Sequence, residues 1–333
     1  MLTRREFAFG ITASAVRLKP GTSSAVQSVR AQADHRRTLR YVHLDVFTDR
    51  ALAGNQLLVY TDPAGLTRDE MQALTRESNY SENTFVFPAE QPATDYRVRI
   101  FTRTAEAPFA GHPTIGTAFA LAHTGAIRAG TPRVVFGLGV GPTPLDLEWS
   151  GGTLTFAWMT QLNPTFGKTV ADTAALAAAI GLGPSDVVRP GQEVNCGSNF
   201  FIVPIASRKA VDAAVIDRAK VEAVFAAAGL PRRGIYAFTT ERGGDAATAY
   251  SRMLPAGGIE DPATGSAAGP AGCYIAKYGL VPADRFGSIV FQQGVLAGRP
   301  SRLHVKISGS GEAITKVLVG GGSVVVGEGT ATP

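Results

Sequence analysis

Short apolar runs, several with hydrophobic and polar residues in alternation, recur along the chain after residue 40, and such runs are typical of β-strands. Strands are predicted at 42–48, 56–60, 84–87, 96–102, 133–136, 144–149, 153–159, 194–205, 235–240, 249–254, 288–292, 302–308 and 314–326. Helices are predicted after the capping residue Thr67 and over 115–123, 172–180, 210–228 and 267–278. The chain is therefore expected to be rich in β-structure, with a few helices between the strands.

The segment 257–272, GGIEDPATGSAAGPAG, follows a predicted strand and opens into a predicted helix. Small residues at such a turn leave backbone N–H groups bare at the helix N-terminus, where they bind carboxylate or phosphate. The alternative is a Gly-rich loop with ordinary helix-capping residues, in which Ser266 is an N-terminal cap.

An internal repeat favours the first interpretation. Residues 111–127 align without a gap on residues 265–281, and this register places His112 opposite Ser266. Upstream, Gly54-Asn55 corresponds loosely to Ser198-Asn199. Two like halves, each with a polar helix start, predict a ligand site in the cleft between them. Chance similarity of two Gly/Ala-rich helices is the alternative.

Four side chains are candidates for chemistry: Glu82, His112, Asp261 and Ser266. Glu82 lies just before an apolar strand, where apolar neighbours would raise its pKa and suit it to taking and giving a proton. The alternative is a solvated loop carboxylate. His112 lies at a helix start, near partial positive charge, although a lone histidine is usually structural. Asp261 precedes Pro262, which holds its backbone extended on a rigid turn. The alternative to a role in chemistry is that Asp261 only caps the entry to the following helix.

Composition and missing motifs exclude several classes of protein. Apolar residues make up 45% of the chain and charged residues 18%, as in a globular protein, and no run is long enough to span a membrane. The net charge is +5, but residues 1–40 hold eight Lys or Arg and two Asp or Glu, so they carry +6 and the rest carries −1. A nucleic-acid partner is not expected.

Known catalytic signatures are also missing. The sequence has no G-x-S-x-G elbow, Walker loop or dinucleotide fingerprint, and no His, Cys or acidic cluster with zinc spacing. Its two cysteines, Cys196 and Cys273, are expected to be small core residues. Proton transfer without cofactor or metal is the simplest chemistry that the remaining residues permit.

Residues 1–40 are expected to be a leader or a disordered basic extension. Thr3-Arg4-Arg5-Glu6-Phe7 resembles a twin-arginine export motif, and Ala31-Gln32-Ala33 is a candidate cleavage site. The protein is predicted to be cytoplasmic, or periplasmic if this leader is functional.

Five segments together resemble the PhzF-like (phenazine biosynthesis) family, which shares the diaminopimelate epimerase-like fold. They are LDVFTDRALAGNQLLV (44–59), SENTFVFP (81–88), RIFTRTAEAPFAGHPTIGTA (99–118), the segment 257–272, and QQGVLAGRPSRLHV (292–305). The resemblance implies an α+β fold of two pseudo-symmetric domains, 41–160 and 161–333, with C-terminal strands able to return to the first. Each is expected to be a curved, mostly antiparallel sheet around a central helix.

The resemblance also implies roles. Glu82 would move a proton between ring carbons, supported by His112, Asp261 and Ser266. Substrate-binding positions are expected at Asn55, Gly111, Thr114 and Gly265. The related epimerases carry a cysteine at each helix start, whereas this chain has His112 and Ser266 there, which disfavours a two-thiol racemase. Asn83 follows Glu82 where a threonine is more usual.

The sequence therefore predicts a cofactor-independent isomerase that acts on a small carboxylate by acid/base catalysis, as a homodimer. Two alternatives stay open at this point. One is an epimerase of amino or imino acids that uses non-thiol bases. The other is a non-catalytic carboxylate-binding protein on the same scaffold.

Overall fold

A computed structural model of the chain describes residues 37–231, 233–255 and 257–333. The predicted leader, residues 1–40, lies outside these residues except for its last four positions. Within the described ranges no helix is long and apolar enough to cross a membrane.

The described residues are dominated by strands, as the alternating pattern predicts. The strands are β1 (Leu39–Val46), β2 (Asn55–Tyr60), β3 (Glu82–Pro88), β4 (Tyr96–Thr102), β5 (Glu106–Ala107), β6 (Arg133–Leu138), β7 (Gly141–Ser150), β8 (Thr153–Gln161), β9 (Thr165–Val170), β10 (Gly191–Asn195), β11 (Asn199–Pro204), β12 (Ile235–Thr239), β13 (Ala249–Leu254), β14 (Ile289–Gln293), β15 (Ser301–Ser308), β16 (Lys316–Gly321) and β17 (Ser323–Ala331).

Helices are fewer and mostly short. They are α1 (Arg68–Ser78), α2 (Gly111–His123), α3 (Thr173–Ala179), α4 (Arg208–Ala213), α5 (Arg218–Ala227) and α6 (Gly265–Tyr278), with a 3-10 helix at Ala283–Ser288. The predicted cap of α1 is present: the Thr67 hydroxyl accepts from the Glu70 N–H, and the Glu70 carboxylate accepts from the Thr67 N–H.

The strand pairings repeat between the two halves. The first group runs β17, β1, β2, β3, β4, β6, β7 and β8, and its pairings are antiparallel except for β2–β3 and β4–β6. The second group runs β9 to β16, and its pairings are antiparallel except for β11–β12 and β13–β14. The parallel pairings thus occupy the same places in both groups, and β8–β16 joins the groups. The division near residue 160 stays a prediction from the sequence.

One helix is buried against each group of strands. Residues 111–121 of α2 and 265–276 of α6 are all buried. Helix α2 packs against β1, β2, β8 and β17, and α6 packs against β10, β11, β15 and β16. Their Gly and Ala residues let sheet side chains come close. The space beside Gly116, for example, is filled by the Leu57 and Val46 side chains.

Three predicted elements are each divided into two in the structure, so their predicted extents were wrong. The predicted strand 194–205 is a hairpin, β10 and β11, with a turn at Gly197, whose φ is +116°. The predicted helix 210–228 is two helices, α4 and α5. The predicted strand 314–326 is also two, because the chain turns at Gly322 so that β16 pairs with β8 while β17 pairs with β1.

Candidate active site

The N-termini of α2 and α6 abut. A Cβ atom placed on Gly111 would lie 2.3 Å from the Ser266 nitrogen and 2.4 Å from the Gly265 carbonyl carbon, so the two backbones touch where the sequence repeat aligns them. Neither helix has an acidic residue in its first turn. Two partial positive charges therefore meet without a carboxylate from either helix to compensate them.

A cavity of about 270 Å³ opens at this junction. Residues from both groups of strands line it, and they differ in character. Ser81, Glu82, Thr102 and Arg103 form a polar wall from the first group. The other lining residues are the starts of α2 and α6, the acid Asp261, and the apolar residues Phe200, Met253 and Ile259. In full they are Ala110, Gly111, His112, Phe200, Met253, Ile259, Asp261, Thr264, Gly265 and Ser266.

Glu82 is the first residue of β3, and its carboxylate is turned toward the protein interior. The side chain is 20% exposed, and Oε2 is buried without a hydrogen-bond partner in the part of the chain that the structure describes. Burial, with a smaller effect from the nearby Asp261 carboxylate, raises the pKa of Glu82 to about 8 against the opposing charge of Arg103. The alternative of a solvated loop carboxylate is therefore wrong.

This raised pKa predicts how stability depends on pH. Between its ordinary value of 4.5 and about 8, the folded state binds more protons at Glu82 than the unfolded state does, so the free energy of unfolding should fall as pH rises through that window. Urea denaturation at several pH values between 6.5 and 8 should show this fall in the wild type and a flatter profile in Glu82→Gln. Equal slopes would contradict the raised pKa.

His112 lies beside Glu82 but does not form a charged pair with it at neutral pH. Its Nε2 is 3.8 Å from Glu82 Oε2, and its side chain is 3% exposed. Burial lowers the pKa of His112 to about 3, with a backbone hydrogen bond to Gln56 acting in the opposite direction. The imidazole is therefore neutral, and it offers the cavity hydrogen bonding rather than charge.

Asp261 is held by three donors. Its Oδ1 accepts from Asn55 Nδ2 at 2.6 Å and from Ser81 Oγ at 3.0 Å, and its Oδ2 accepts from Thr264 Oγ1 at 2.7 Å. Burial raises the pKa of Asp261, and these hydrogen bonds act against that rise. Its neighbour Glu260 points elsewhere and pairs with Arg252 at 2.7 Å. Asp261 is thus the acid of the Glu260-Asp261 pair that reaches the cavity.

The Asn55 side chain contacts residues of both halves of the chain. Besides Asp261, its Nδ2 donates to the Ala263 carbonyl at 3.0 Å and lies 3.1 Å from His112 Nδ1. The side chain is buried, and it does not line the cavity itself. Asn55 is placed to orient Asp261 and His112 rather than to contact a ligand.

The remaining predicted residues divide between the cavity and the helix interior. Gly111, Gly265 and Ser266 line the cavity, and the N-cap of α6 is Thr264, so the alternative role of Ser266 as that cap is wrong. Thr114 does not line it, because its hydroxyl donates back to the Ala110 carbonyl at 2.7 Å.

The two cysteines are buried, as predicted, and lie against each other. Cys196 Sγ is 3.8 Å from Cys273 Sγ, and neither residue lines the cavity.

Sequence reasoning missed four polar residues of the site: Ser81, Arg103, Thr264 and Gln293. The Gln293 amide donates to the Asp261 carbonyl at 2.8 Å and to Thr264 Oγ1 at 3.0 Å, which fixes the turn before α6. All four fall inside the segments that resemble the family, so those segments were the available signal. Their partners are distant in sequence, and no local pattern identifies them.

A larger cavity, of about 440 Å³, lies beside the turn after β1 and includes Arg50, Arg302 and His304. It lacks the two acids Glu82 and Asp261 and the two helix starts, so the smaller cavity is the better candidate for chemistry. No group of three or more His, Cys, Asp or Glu residues within 37–231, 233–255 and 257–333 is placed to hold a metal ion.

Comparison with known proteins identifies the family of this chain. The family model for phenazine biosynthesis-like protein matches residues 44–329. A relative from Pseudomonas aeruginosa, named trans-2,3-dihydro-3-hydroxyanthranilate isomerase, is 36% identical over 294 residues, which cover 88% of this chain and 99% of the relative. The chain belongs to the phenazine biosynthesis-like protein family.

Solved structures of other proteins have the same fold as this chain. A Bacillus anthracis phenazine biosynthesis protein of the PhzF family superposes with a TM-score of 0.77 at 26% identity, covering 89% of this chain and 100% of that one. A hydroxyproline epimerase from Agrobacterium vitis superposes with a TM-score of 0.59 at 12% identity, covering 89% and 93%, which shows the fold alone. The predicted family, the epimerase-like α+β fold and the assignment as an isomerase are confirmed.

Proposed function

We propose that this phenazine biosynthesis-like protein is a cofactor-independent isomerase that shifts a proton within a small carboxylate substrate, with Glu82 as general acid and base. The observation that carries the proposal is the Glu82 carboxylate. Its Oε2 is buried and has no hydrogen-bond partner among the described residues, and the side chain lines the cavity where the N-termini of α2 and α6 meet. A pKa of about 8 lets one group accept and return a proton near neutral pH.

In this mechanism the substrate carboxylate binds at the N-termini of α2 and α6, where Gly111, Gly265 and the Ser266 hydroxyl line the cavity. The ionised Glu82 takes a proton from one substrate carbon and becomes neutral. The neutral carboxyl exchanges its proton with solvent and delivers a proton to another carbon, so substrate and product have the same composition and the enzyme ends unchanged. His112 and Asp261, both in the cavity wall, bind substrate or relay the proton.

The proposal is supported by the name of the Pseudomonas aeruginosa relative, which describes isomerisation of a hydroxylated dihydroanthranilate. That substrate class combines a small ring with a carboxylate, which suits a cavity of about 270 Å³ with apolar and polar walls. The homodimer, the choice between cytoplasm and periplasm, and the division near residue 160 stay predictions from the sequence.

A hydrogen-exchange screen tests the proposal. The protein, treated with a chelator and given no cofactor, is incubated in heavy water with small carboxylates that include trans-2,3-dihydro-3-hydroxyanthranilate. We expect deuterium to enter a carbon position of at least one compound, followed by mass spectrometry and NMR. Exchange with inversion at an α-carbon would instead indicate an epimerase. Binding without exchange of any compound would indicate a non-catalytic carboxylate-binding protein.

A further inference from the structure

Arg103 is the cation of the polar wall, and no other part of the mechanism uses it. It follows Thr102, which pairs with Glu82 across the β3–β4 ladder, so Arg103 comes directly after the strand that flanks the proposed base. Arg103 lines the same cavity as Glu82 and Asp261, and its charge lowers the pKa of both acids against burial.

The Arg103 guanidinium makes little hydrogen bonding to the described residues. Its one hydrogen bond within the described residues joins Nη1 to the Asn79 carbonyl at 3.5 Å, the long limit for such a bond. The nearby arginines Arg99 and Arg97 each have a carboxylate partner, Glu106 and Glu90 respectively. A guanidinium presents five N–H donors, so most of those of Arg103 are available to a ligand in the cavity.

Positive charge reaches the cavity from two places: the N-termini of α2 and α6, and the Arg103 side chain. One substrate carboxylate at the helix starts does not occupy Arg103, which follows β4 and belongs to neither helix. The apolar lining residues Phe200, Met253 and Ile259 offer no partner to a second charge.

We propose that Arg103 is a specificity-determining residue that binds a second anionic group, so that the preferred substrates of this enzyme carry two carboxylates or a carboxylate and another acidic group. The first carboxylate lies at the junction of α2 and α6, and the second forms charge-assisted hydrogen bonds with the guanidinium. This inference rests on the proposed carboxylate site but not on Glu82 acting as the base.

Matched aromatic probes test the inference by calorimetry. Benzoate and benzene-1,3-dicarboxylate share a ring and differ by one carboxylate. We expect the wild type to bind the dicarboxylate about tenfold to hundredfold more tightly, the range of a hydrogen bond to a charged group. Arg103→Gln should lose this preference with little change for benzoate, and Arg103→Lys should keep part of it. Arg128→Gln, at an exposed arginine away from the cavity, is the control and should bind both probes as the wild type does.

Several outcomes would overturn the inference: equal wild-type affinity for the two probes, no binding of the dicarboxylate at millimolar concentration, or a loss in Arg103→Gln that is the same for both probes. Circular dichroism checks that each variant is folded, and Arg103→Lys decides the matter if the glutamine variant is not. The proposed function fails separately. If the preference persists but no compound exchanges hydrogen, the isomerase proposal alone falls, and if exchange occurs without a preference, the role of Arg103 alone falls.

Discussion

Glu82→Gln is expected to slow hydrogen exchange into the substrate by about 100- to 10,000-fold, the usual contribution of a general acid or base. Glutamine keeps the size of the side chain and its hydrogen-bonding oxygen, but it cannot accept or return a proton. Because one carboxylate oxygen is buried without a partner, the uncharged amide should fit the same space without unfolding the chain. The exchange rate is measured by following deuterium incorporation from heavy water into the substrate by mass spectrometry.

Glu77→Gln is the matched control for this prediction. Glu77 is exposed near the end of α1, so Glu77→Gln makes the same chemical substitution at a residue that does not line the cavity. Its exchange rate should equal that of the wild type. Full activity in Glu82→Gln, with Glu77→Gln also active, would remove Glu82 from the role of base and direct attention to Asp261 and His112 in the same cavity.

The paired helix starts are predictable because they depend on local sequence that occurs twice. Glycine at 111 and at 265 is required where two backbones touch, and the gapless repeat around those positions is enough to predict that His112 and Ser266 share one site. Glu82 is identified together with them by the resemblance to the family. Its burial is an open question in the sequence, since a carboxylate that precedes an apolar strand can face either way.

Other parts of the site depend on contacts between distant segments, which no periodicity reveals. Gln293 reaches Asp261 and Thr264 across about thirty residues, and Asn55 reaches Asp261 across the two halves. The hairpin at Gly197, by contrast, has a local signal that the strand prediction did not use. Asn195, Gly197, Ser198 and Asn199 are residue types typical of turns, and Asn195 Oδ1 accepts from the Gly197 N–H at 2.7 Å.

Gly111→Ala is expected to destabilise the protein by about 3 kcal/mol, the upper part of the range for an overpacked site, and to abolish binding of small carboxylates. The added methyl group would lie 2.3 to 2.5 Å from three backbone atoms of Gly265 and Ser266. Backbone atoms cannot move aside by changing rotamer, so the two helices would have to separate. The positive ends that face the cavity would then diverge, and the proposed carboxylate site would be lost.

Gly287→Ala separates this effect from the general consequence of adding a methyl group. A Cβ atom at Gly287 meets nothing within 4 Å, so this variant should unfold in urea at the same concentration as the wild type and bind benzoate equally well. Gly111→Ala should differ from it in both measurements, because stability and binding depend on the same contact between α2 and α6. If Gly111→Ala lost stability but kept its affinity for benzoate, the helix junction would be a packing contact only, and the carboxylate would have to bind elsewhere in the cavity.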